Sequence, residues 1–373
     1  MDNDFIPVNE PLLDGNERKY LLECIDTGWI SSEGPFVKEF EAKFAARVGR
    51  KHGIAVCNGT AALEAAVAAL GIGAGDEVIM PAFTIISCAA AVVRAGARPV
   101  LVDSDPLTWN MDVSKIEGVI TPRTKAIMAV HTYGLPVDMG PVLDIAARYG
   151  LKVIEDAAEA HGLSYRDRPC GSFGELSTFS FYPNKHVTTG EGGMVVTDDD
   201  LLAERCRSLR NLCFQTGKRF VHEELGFNFR MTNLQAALGL AQLERLDNFI
   251  SRKHLMGRRY TDLLSGTSGL QLPLAHTDYA DNIYWVYGVV IDDSVAMAAE
   301  QLMQLLGERN IGTRPFFWPM HEQPVFRRMG LFGGESHPVA ERLALRGFYI
   351  PSGLALNDAQ MDVVALRLRE LFS

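Results

Sequence analysis

From about residue 53 to about residue 200, continuous apolar runs alternate with segments of helical periodicity, and this alternation constrains the fold more than any other feature. Runs that are apolar throughout suit strands buried on both faces by crossover helices. The sequence therefore predicts an α/β domain with a largely parallel sheet. The predicted strands are 53–57, 77–81, 98–103, 125–133, 152–157, 177–182 and 193–198, and the predicted helices between them include 60–71, 86–95 and 139–149.

Beyond residue 230 the pattern changes. Thr232 and Asn233 are suited to cap one long helix or two successive helices. From about residue 260 shorter segments follow, and these predict a smaller C-terminal α/β domain. We predict a large domain with an N-terminal arm at 1–255 and a small domain at 256–373, with strands at 284–291 and 312–317 and helices at 299–308 and 359–371.

The overall charge limits the class of partner. A formal net charge of -10 argues against nonspecific binding to nucleic acid or to an anionic membrane, both of which require a basic surface.

The N-terminal segment has no basic and apolar signal pattern, and helical stretches such as TAALEAAVAALGIG are too short to span a bilayer, so we expect a cytoplasmic protein. The six cysteines show no CxxC pair and no metal-ligand spacing, which favours free thiols without a metal.

The residues that follow the predicted strands are candidates for ligand binding, because ligands bind at the carboxyl ends of strands in such sheets. Gly59 and Thr60 follow the first strand and open a helix, where backbone N–H groups and the helix dipole favour an anion such as phosphate. A simple helix cap by Asn58 or Thr60 uses the same residues and remains an alternative.

Two further candidates, Asp156 and Lys185, lie at the ends of two later predicted strands. Asp156 ends an apolar strand, where a carboxylate needs a cationic partner such as a protonated pyridine nitrogen; its alternative role is a helix cap. Lys185 follows the strand STFSFY and is placed to form a Schiff base with an aldehyde, although most lysines are solvated surface residues. The neighbouring GEGG is not a P-loop, and we interpret its glycines as a turn.

The segments NGTAAL, EDAAEA and SFYPNK followed by TTGEGG, taken together and in this order, resemble the pyridoxal-phosphate sugar aminotransferases of the DegT/DnrJ/EryC1/StrS family. GWISSEGPFVKEFEAKFA, PAFTIISCAAAV, GFNFRMTNLQAALGLAQLE and TRPFFWPMH also match, so the resemblance covers essentially the whole chain. It implies fold type I, with a three-layer large domain and a smaller C-terminal domain. It also implies pyridoxal 5'-phosphate as cofactor and transfer of an amino group from L-glutamate to a nucleotide-linked 4-keto-6-deoxy sugar.

The resemblance also implies roles for individual residues. Lys185 matches the Schiff-base lysine, Asp156 the partner of the pyridine nitrogen, and Glu159 the residue beside the phenolic oxygen. Phosphate contacts are matched by Gly59, Thr60 and Ser180. Asn228 matches an asparagine that reaches the phosphate of the neighbouring subunit, which implies a homodimer with shared active sites.

One position departs from the family pattern. The family usually has an aromatic residue stacked on the cofactor ring where this chain has Ile85, so either Ile85 packs on the ring or Phe83 supplies the face. For the substrate, the candidates are Trp29, Ser31, His186 and the segment 314–321, which includes Arg314 and Trp318. An ordinary core role is favoured for most aromatic residues of that segment, and a surface ion pair is an alternative for Arg314. His161 is a further candidate, with a hydrogen-bonded structural histidine as its alternative.

Two alternatives to transamination within this fold are sugar dehydration and noncatalytic regulation. The family's sugar dehydratases have histidine in place of the Schiff-base lysine, whereas this chain has Lys185 there and histidine one residue later. Noncatalytic regulators on this fold carry an added helix-turn-helix domain, for which we find no spare N-terminal segment. Both comparisons favour an aminotransferase.

Overall fold

The computed structural model describes residues 5–215 and 217–372. Its large domain contains nine strands: β1 His52–Val56, β2 Glu77–Pro81, β3 Arg98–Val102, β4 Thr124–Val130, β5 Lys152–Asp156, β6 Ser164–Tyr165, β7 Arg168–Pro169, β8 Leu176–Ser180 and β9 Gly193–Thr197. Seven of them form one sheet in the order β1-β9-β8-β5-β4-β2-β3, and β6 pairs with β7 in a separate hairpin. β9 is antiparallel to both of its neighbours, and the other pairs in the large sheet are parallel.

Helices cover both faces of this sheet: α1 Glu17–Thr27, α2 Pro35–Arg47, α3 Gly59–Ala69, α4 Ile86–Arg94, α5 Met139–Tyr149, α6 Asp200–Arg210 and α7 Asn233–Leu243. The alternation of side chains along β4 shows why both faces are apolar. Met128 packs into the core that contains α3 and α4, whereas Ile127 packs into the core that contains α2, α5 and α7. The predicted three-layer α/β architecture is confirmed.

The predicted strands and helices of the large domain are confirmed, with small differences at their ends. The strand predicted at 125–133 ends at Val130, because Thr132 and Leu135 form a bridge across a turn in which Tyr133 has a φ of 54°. The helical region after residue 230 consists of two helices, and Thr232 caps α7 in a capping box with Gln235.

The C-terminal region builds a smaller unit from α8 Leu246–Leu264, β10 Leu270–Gln271, β11 Tyr287–Ile291, α9 Ala299–Gly307, β12 Arg314–Pro315, α10 Pro324–Arg328, α11 Pro338–Arg346, β13 Gly347–Ile350 and α12 Asp358–Glu370. Its strands form an antiparallel sheet in the order β10-β11-β13-β12. Side chains of α8, α9 and α12 pack against this sheet in a third core.

The two units are joined at more than one point. The division predicted between residues 255 and 256 falls inside α8. Ile6, which we assigned to the large domain as part of the N-terminal arm, forms a parallel bridge with Ile311 and packs into the core of the smaller unit. The division stays a prediction, and the arm contacts the second unit.

All six cysteines are free thiols, as predicted, and all but Cys57 are buried. Among the described helices, none combines the length and the apolar character that a membrane span requires.

Candidate active site

A cavity of about 520 Å³ opens at the carboxyl ends of β1, β5 and β8. Its volume is within the range of small-molecule sites. Seven residues predicted for the cofactor site line it together: Gly59, Thr60, Ile85, Asp156, Glu159, Ser180 and Lys185. The parallel strands bring these residues together from segments far apart in the sequence.

Lys185 lies in the turn after β8, where its backbone N–H donates to the carbonyl of Tyr182 at 2.9 Å. Its side chain is 9% exposed, and its Nζ lies 3.6 Å from Oε1 of Glu159 and 3.7 Å from the centre of the Trp285 ring. Burial lowers the pKa of the amine, and the carboxylates of Glu159 and Asp156 partly offset this effect. A lowered pKa favours the neutral amine, which is the nucleophilic form.

Asp156 ends β5 with its carboxylate buried at the floor of the cavity. Its Oδ1 accepts a hydrogen bond from the backbone of Ala158 at 3.0 Å, and its Oδ2 accepts one from the thiol of Cys88 at 3.3 Å. Burial raises the pKa of this carboxyl, while Lys185 lowers it. A buried carboxylate with few charged neighbours is suited to stabilise a cationic ring nitrogen.

Glu159 lies on the same side of the cavity as Lys185. Its Oε2 accepts a hydrogen bond from the backbone of Tyr133 at 2.9 Å. Burial raises its pKa to about 7, against the opposing effect of Lys185. The side chain can therefore hold or release a proton near neutral pH.

The opposite end of the cavity is suited to an anion. Asn58 caps α3 by accepting a hydrogen bond from the backbone of Ala61, so the first turn of the helix, with Gly59 and Thr60, faces the cavity. A Cβ added to Gly59 would lie 2.7 Å from Cβ of Ser180, so glycine permits the close approach of these two segments. Helix dipole and hydroxyl groups together favour a phosphate.

Sequence reasoning missed Ser87, whose hydroxyl lies 2.8 Å from that of Thr60 at this end of the cavity. Its position in the first turn of α4, the helix that follows the parallel strand β2, was the available signal. Trp285, Phe317 and Tyr349 also line the cavity, and they come from the C-terminal region. Phe317 lies in the segment 314–321 that we considered for the substrate, whereas the sequence around Trp285 and Tyr349 indicates ordinary core residues and gave no signal for a site.

The two alternatives for the ring face differ in position. Ile85 lines the cavity and is 39% exposed. Phe83 is completely buried and packs against Tyr133, Phe316 and Phe317. Of the two, Ile85 is therefore placed to contact a ligand.

The structure does not bring His186 into the cavity, in contrast to our expectation of a substrate contact. Its ring is buried behind Lys185, with Nδ1 3.2 Å from the carbonyl of His161, and burial holds its pKa well below the ordinary value. His161 is also buried, accepts a hydrogen bond from the backbone of Val187, and has a pKa lowered by burial to about 3. Both histidines are neutral residues of the protein interior.

The substrate candidates Trp29, Ser31, Arg314 and Trp318 do not line this cavity, and neither does Asn228, which we predicted as a phosphate contact. Trp29, Ser31 and Asn228 line a separate surface cavity of about 510 Å³ together with Arg230. Arg314 and Trp318 are exposed and belong to neither cavity. These five residues therefore form two groups. Arg314 pairs with Tyr349 and Trp318 follows Phe317, and because Tyr349 and Phe317 both line the cavity around Lys185, this second group borders it.

A buried cluster beside the site has ligand atoms that a metal could use. The ligand atoms of His131, Glu155 and Cys170 lie within 4.8 Å of one another. Glu155 already accepts hydrogen bonds from the ring of His131, from Ser177 and from two backbone N–H groups. Hydrogen bonds thus explain this cluster, which connects β5 to the loop before β8.

Comparison with known proteins agrees with the geometry. Residues 11–369 match the model of the DegT/DnrJ/EryC1/StrS aminotransferase family. The chain belongs to this family. It is an enzyme, an aminotransferase that depends on pyridoxal phosphate, and the cavity around Lys185 has the residues that this cofactor requires: an amine, a buried acid and an anion-binding helix terminus.

Similar proteins include GDP-perosamine synthase of Caulobacter vibrioides, 45% identical over 98% of both chains, and GDP-perosamine synthase of Escherichia coli O157:H7, 42% identical over 99% of both. A solved structure of S. venezuelae DesV in complex with a ketimine intermediate is 36% identical, covering 96% of this chain and 94% of that one, with a TM-score of 0.89. A structure of DesI in the presence of its TDP-sugar product is 33% identical over 99% and 93% of the chains, also with a TM-score of 0.89.

Proposed function

We propose that this chain transfers the amino group of L-glutamate to C4 of GDP-4-keto-6-deoxymannose and so forms GDP-perosamine. The observation that carries the proposal is the buried amine of Lys185 between Glu159 and the Trp285 ring, above the carboxylate of Asp156. The choice of sugar is supported by three relatives named GDP-perosamine synthase, each matched over 98% or 99% of this chain.

The chemistry divides among the residues of the cavity. Bound pyridoxal phosphate supplies an aldehyde and an electron-withdrawing ring. Lys185 is the residue that would hold the cofactor through its aldehyde, and its Nζ, when free, would accept or release a proton. Asp156 would hold a protonated ring nitrogen by charge, and Glu159 could hold or release a proton beside the ring, as its pKa of about 7 permits. Gly59, Thr60, Ser87 and Ser180 bind the phosphate.

Within the family, the alternative is a dehydratase, in which histidine replaces the lysine. The position of the two neighbouring residues argues against it, because Lys185 lines the cavity whereas His186 lies behind it. A basic amine is thus available to displace and be displaced by an amino donor. This favours transamination.

We also propose a homodimer in which each cavity is completed by the other subunit. Trp29, Ser31 and Asn228 share a surface cavity that lies apart from Lys185, as expected if they serve the site of a second copy. Large apolar side chains at or near Trp29 and Asn228 in the sequence are exposed to solvent. The exposed fraction is 51% for Trp29 and for Ile30, and 92% for Leu225. Exposed apolar groups of this kind favour burial in an interface.

The proposed site of action is the cytoplasm. Six free thiols, five of them buried, are typical of a reducing compartment.

The test is a substrate panel. The purified holoenzyme is incubated with L-glutamate and with GDP-, dTDP- or UDP-linked 4-keto-6-deoxy sugars, and the products are identified by mass and NMR. We expect an amino group at C4 of the GDP-linked sugar and much slower turnover of the other two. A product aminated at C3, or a preference for the dTDP or UDP sugar, would overturn the choice of substrate, and a product that has lost a hydroxyl without gaining nitrogen would support the dehydratase.

A further inference from the structure

Lys253 is a buried lysine outside the cavity that the proposed reaction does not use. It lies in α8, is 2% exposed, and forms no ion pair within the described residues. Burial alone lowers its pKa to about 7. Burying an amine that has no carboxylate partner costs free energy, and hydrogen bonds must offset this cost.

Two backbone carbonyl groups accept those hydrogen bonds. Nζ of Lys253 donates to the carbonyl of Trp285 at 3.0 Å and to that of Ser352 at 2.5 Å. An apolar side chain of the same length would leave both carbonyls without this donor.

The register of the small sheet explains why these carbonyls need a donor. β11 pairs with β13 from Val290 opposite Gly347 to Tyr287 opposite Ile350. Continuing this register by two residues sets Trp285 opposite Ser352, beyond the last pair of the ladder. The amine of Lys253 joins the two chains at the point where main-chain pairing has ended.

Trp285 connects this junction to the active site. Its indole Nε1 donates to the carbonyl of Asn184 at 2.8 Å, and its ring lies 3.7 Å from Nζ of Lys185. The ring also stacks on Tyr133, with 5.7 Å between ring centres. The backbone of Trp285 is therefore held by Lys253, while its side chain covers the reactive amine.

We infer that Lys253 is a positioning residue, which fixes the backbone of Trp285 so that the indole lies over the amine of Lys185. The inference rests on the assignment of Lys185 as the reactive amine in the proposed function. The ring excludes water from the amine and contributes a cation–π contact when the amine is protonated. The titratable groups that face the same amine are Asp156, Glu159 and the thiol of Cys88, and none of them contacts Lys253.

The test compares Lys253→Met with wild type as holoenzymes. The first readout is the pH at the midpoint of the absorbance change of the cofactor bound to Lys185. The second is the change in kcat compared with the change in KM for glutamate. We expect the midpoint to shift by about half a pH unit or more, because the Lys185 nitrogen gains hydration, which raises the midpoint, and loses the cation–π contact, which lowers it. We expect kcat to fall roughly tenfold with a smaller change in KM. An unchanged midpoint and unchanged kcat would overturn the inference.

Two further variants show whether the effect passes through Trp285. In the double variant Lys253→Met/Trp285→Phe, the loss of kcat should equal that of Trp285→Phe alone within about twofold, since the two residues act as one unit. Losses that multiply would overturn the inference. Arg252→Met is the matched control, because Arg252 precedes Lys253 in α8 but donates to the carbonyl of Leu356. It should leave the midpoint unchanged.

Lys253→Gln serves if Lys253→Met does not fold, because glutamine keeps a donor for these carbonyls. Its midpoint should move in the same direction by a smaller amount, and a wild-type midpoint would overturn the inference. The midpoint and the half-reaction with glutamate do not require the sugar. If no GDP-linked sugar is aminated, the choice of substrate fails while the role of Lys253 is still tested.

Discussion

The amine of Lys185 lies 3.6 Å from the carboxylate of Glu159, and both side chains are nearly inaccessible to solvent. Burial lowers the pKa of the lysine and raises that of the glutamate to about 7. The proton affinities of the two groups are thereby brought closer together. Both shifts lower the free-energy cost of passing a proton between them, which favours repeated protonation and release at Lys185.

The raised pKa of Glu159 predicts a pH-dependent stability. In the unfolded state the pKa of Glu159 has its ordinary value of 4.5, so the folded state binds this proton more tightly. The free energy of unfolding therefore falls as pH rises from about 4.5 to about 7. Relative to Glu159→Gln, the wild-type apoprotein should become progressively less stable over this range, as measured by urea unfolding. Glu300→Gln, at an exposed position of α9, is the control and should show no such trend. A constant difference between wild type and Glu159→Gln across the range would contradict the role of burial.

Asp156 and Glu155 are adjacent on β5, and we predict opposite consequences of neutralising them. Asp156→Asn should lower kcat by about 10²–10³-fold and leave stability nearly unchanged, because it removes the acid that faces the cofactor. Glu155→Gln should cost on the order of 2 kcal/mol of unfolding free energy, because it disturbs the hydrogen bonds with His131, Ser177 and two backbone N–H groups. Steady-state kinetics and urea unfolding on both variants check this. Equal effects of the two variants on kcat would contradict the separate roles of Asp156 and Glu155.

Ile85 should contribute to binding of the cofactor through apolar contact. Ile85→Ala should raise the Kd for pyridoxal phosphate roughly tenfold, in line with the loss of a few buried methyl and methylene groups. Ile85→Phe should bind at least as tightly as wild type. Ile86→Ala is the matched control, because Ile86 is similarly exposed but does not line the cavity. If Ile86→Ala weakens binding as much as Ile85→Ala, the ring is covered by some other residue.

Shared active sites predict complementation between two inactive variants. Lys185→Ala and Asn228→Ala subunits should each have little activity alone. After denaturation and refolding together, the mixture should recover roughly a quarter of wild-type activity, because half of the dimers are mixed and each mixed dimer has one intact site. Activity no greater than the sum of the two separate variants would show that each subunit completes its own site.

The sequence was informative where a strand end determined the position of a side chain. Asp156 and Gly59 could be placed at one edge of the sheet because parallel strands end together. His186 could not be placed correctly from its proximity to Lys185, because consecutive residues of the turn point to opposite sides. The lysine enters the cavity and the histidine enters the core.

Trp285 and Tyr349 could not be predicted as site residues for a different reason. Both belong to the C-terminal region, and their contact with the cavity depends on how that region packs against the large sheet. Periodicity along the chain carries no information about this packing. The junction made by Lys253 is of the same kind, because it depends on the register between β11 and β13.

Following nitrogen from donor to product tests the proposed transamination most directly. The holoenzyme is supplied with ¹⁵N-labelled L-glutamate and GDP-4-keto-6-deoxymannose, and wild type is compared with Lys185→Ala and with the exposed-lysine control Lys125→Ala. We predict ¹⁵N at C4 of the GDP-linked sugar for wild type and Lys125→Ala, and a rate lower by about 10²-fold or more for Lys185→Ala. Sugar without ¹⁵N, or an undiminished rate for Lys185→Ala, would contradict transamination through Lys185.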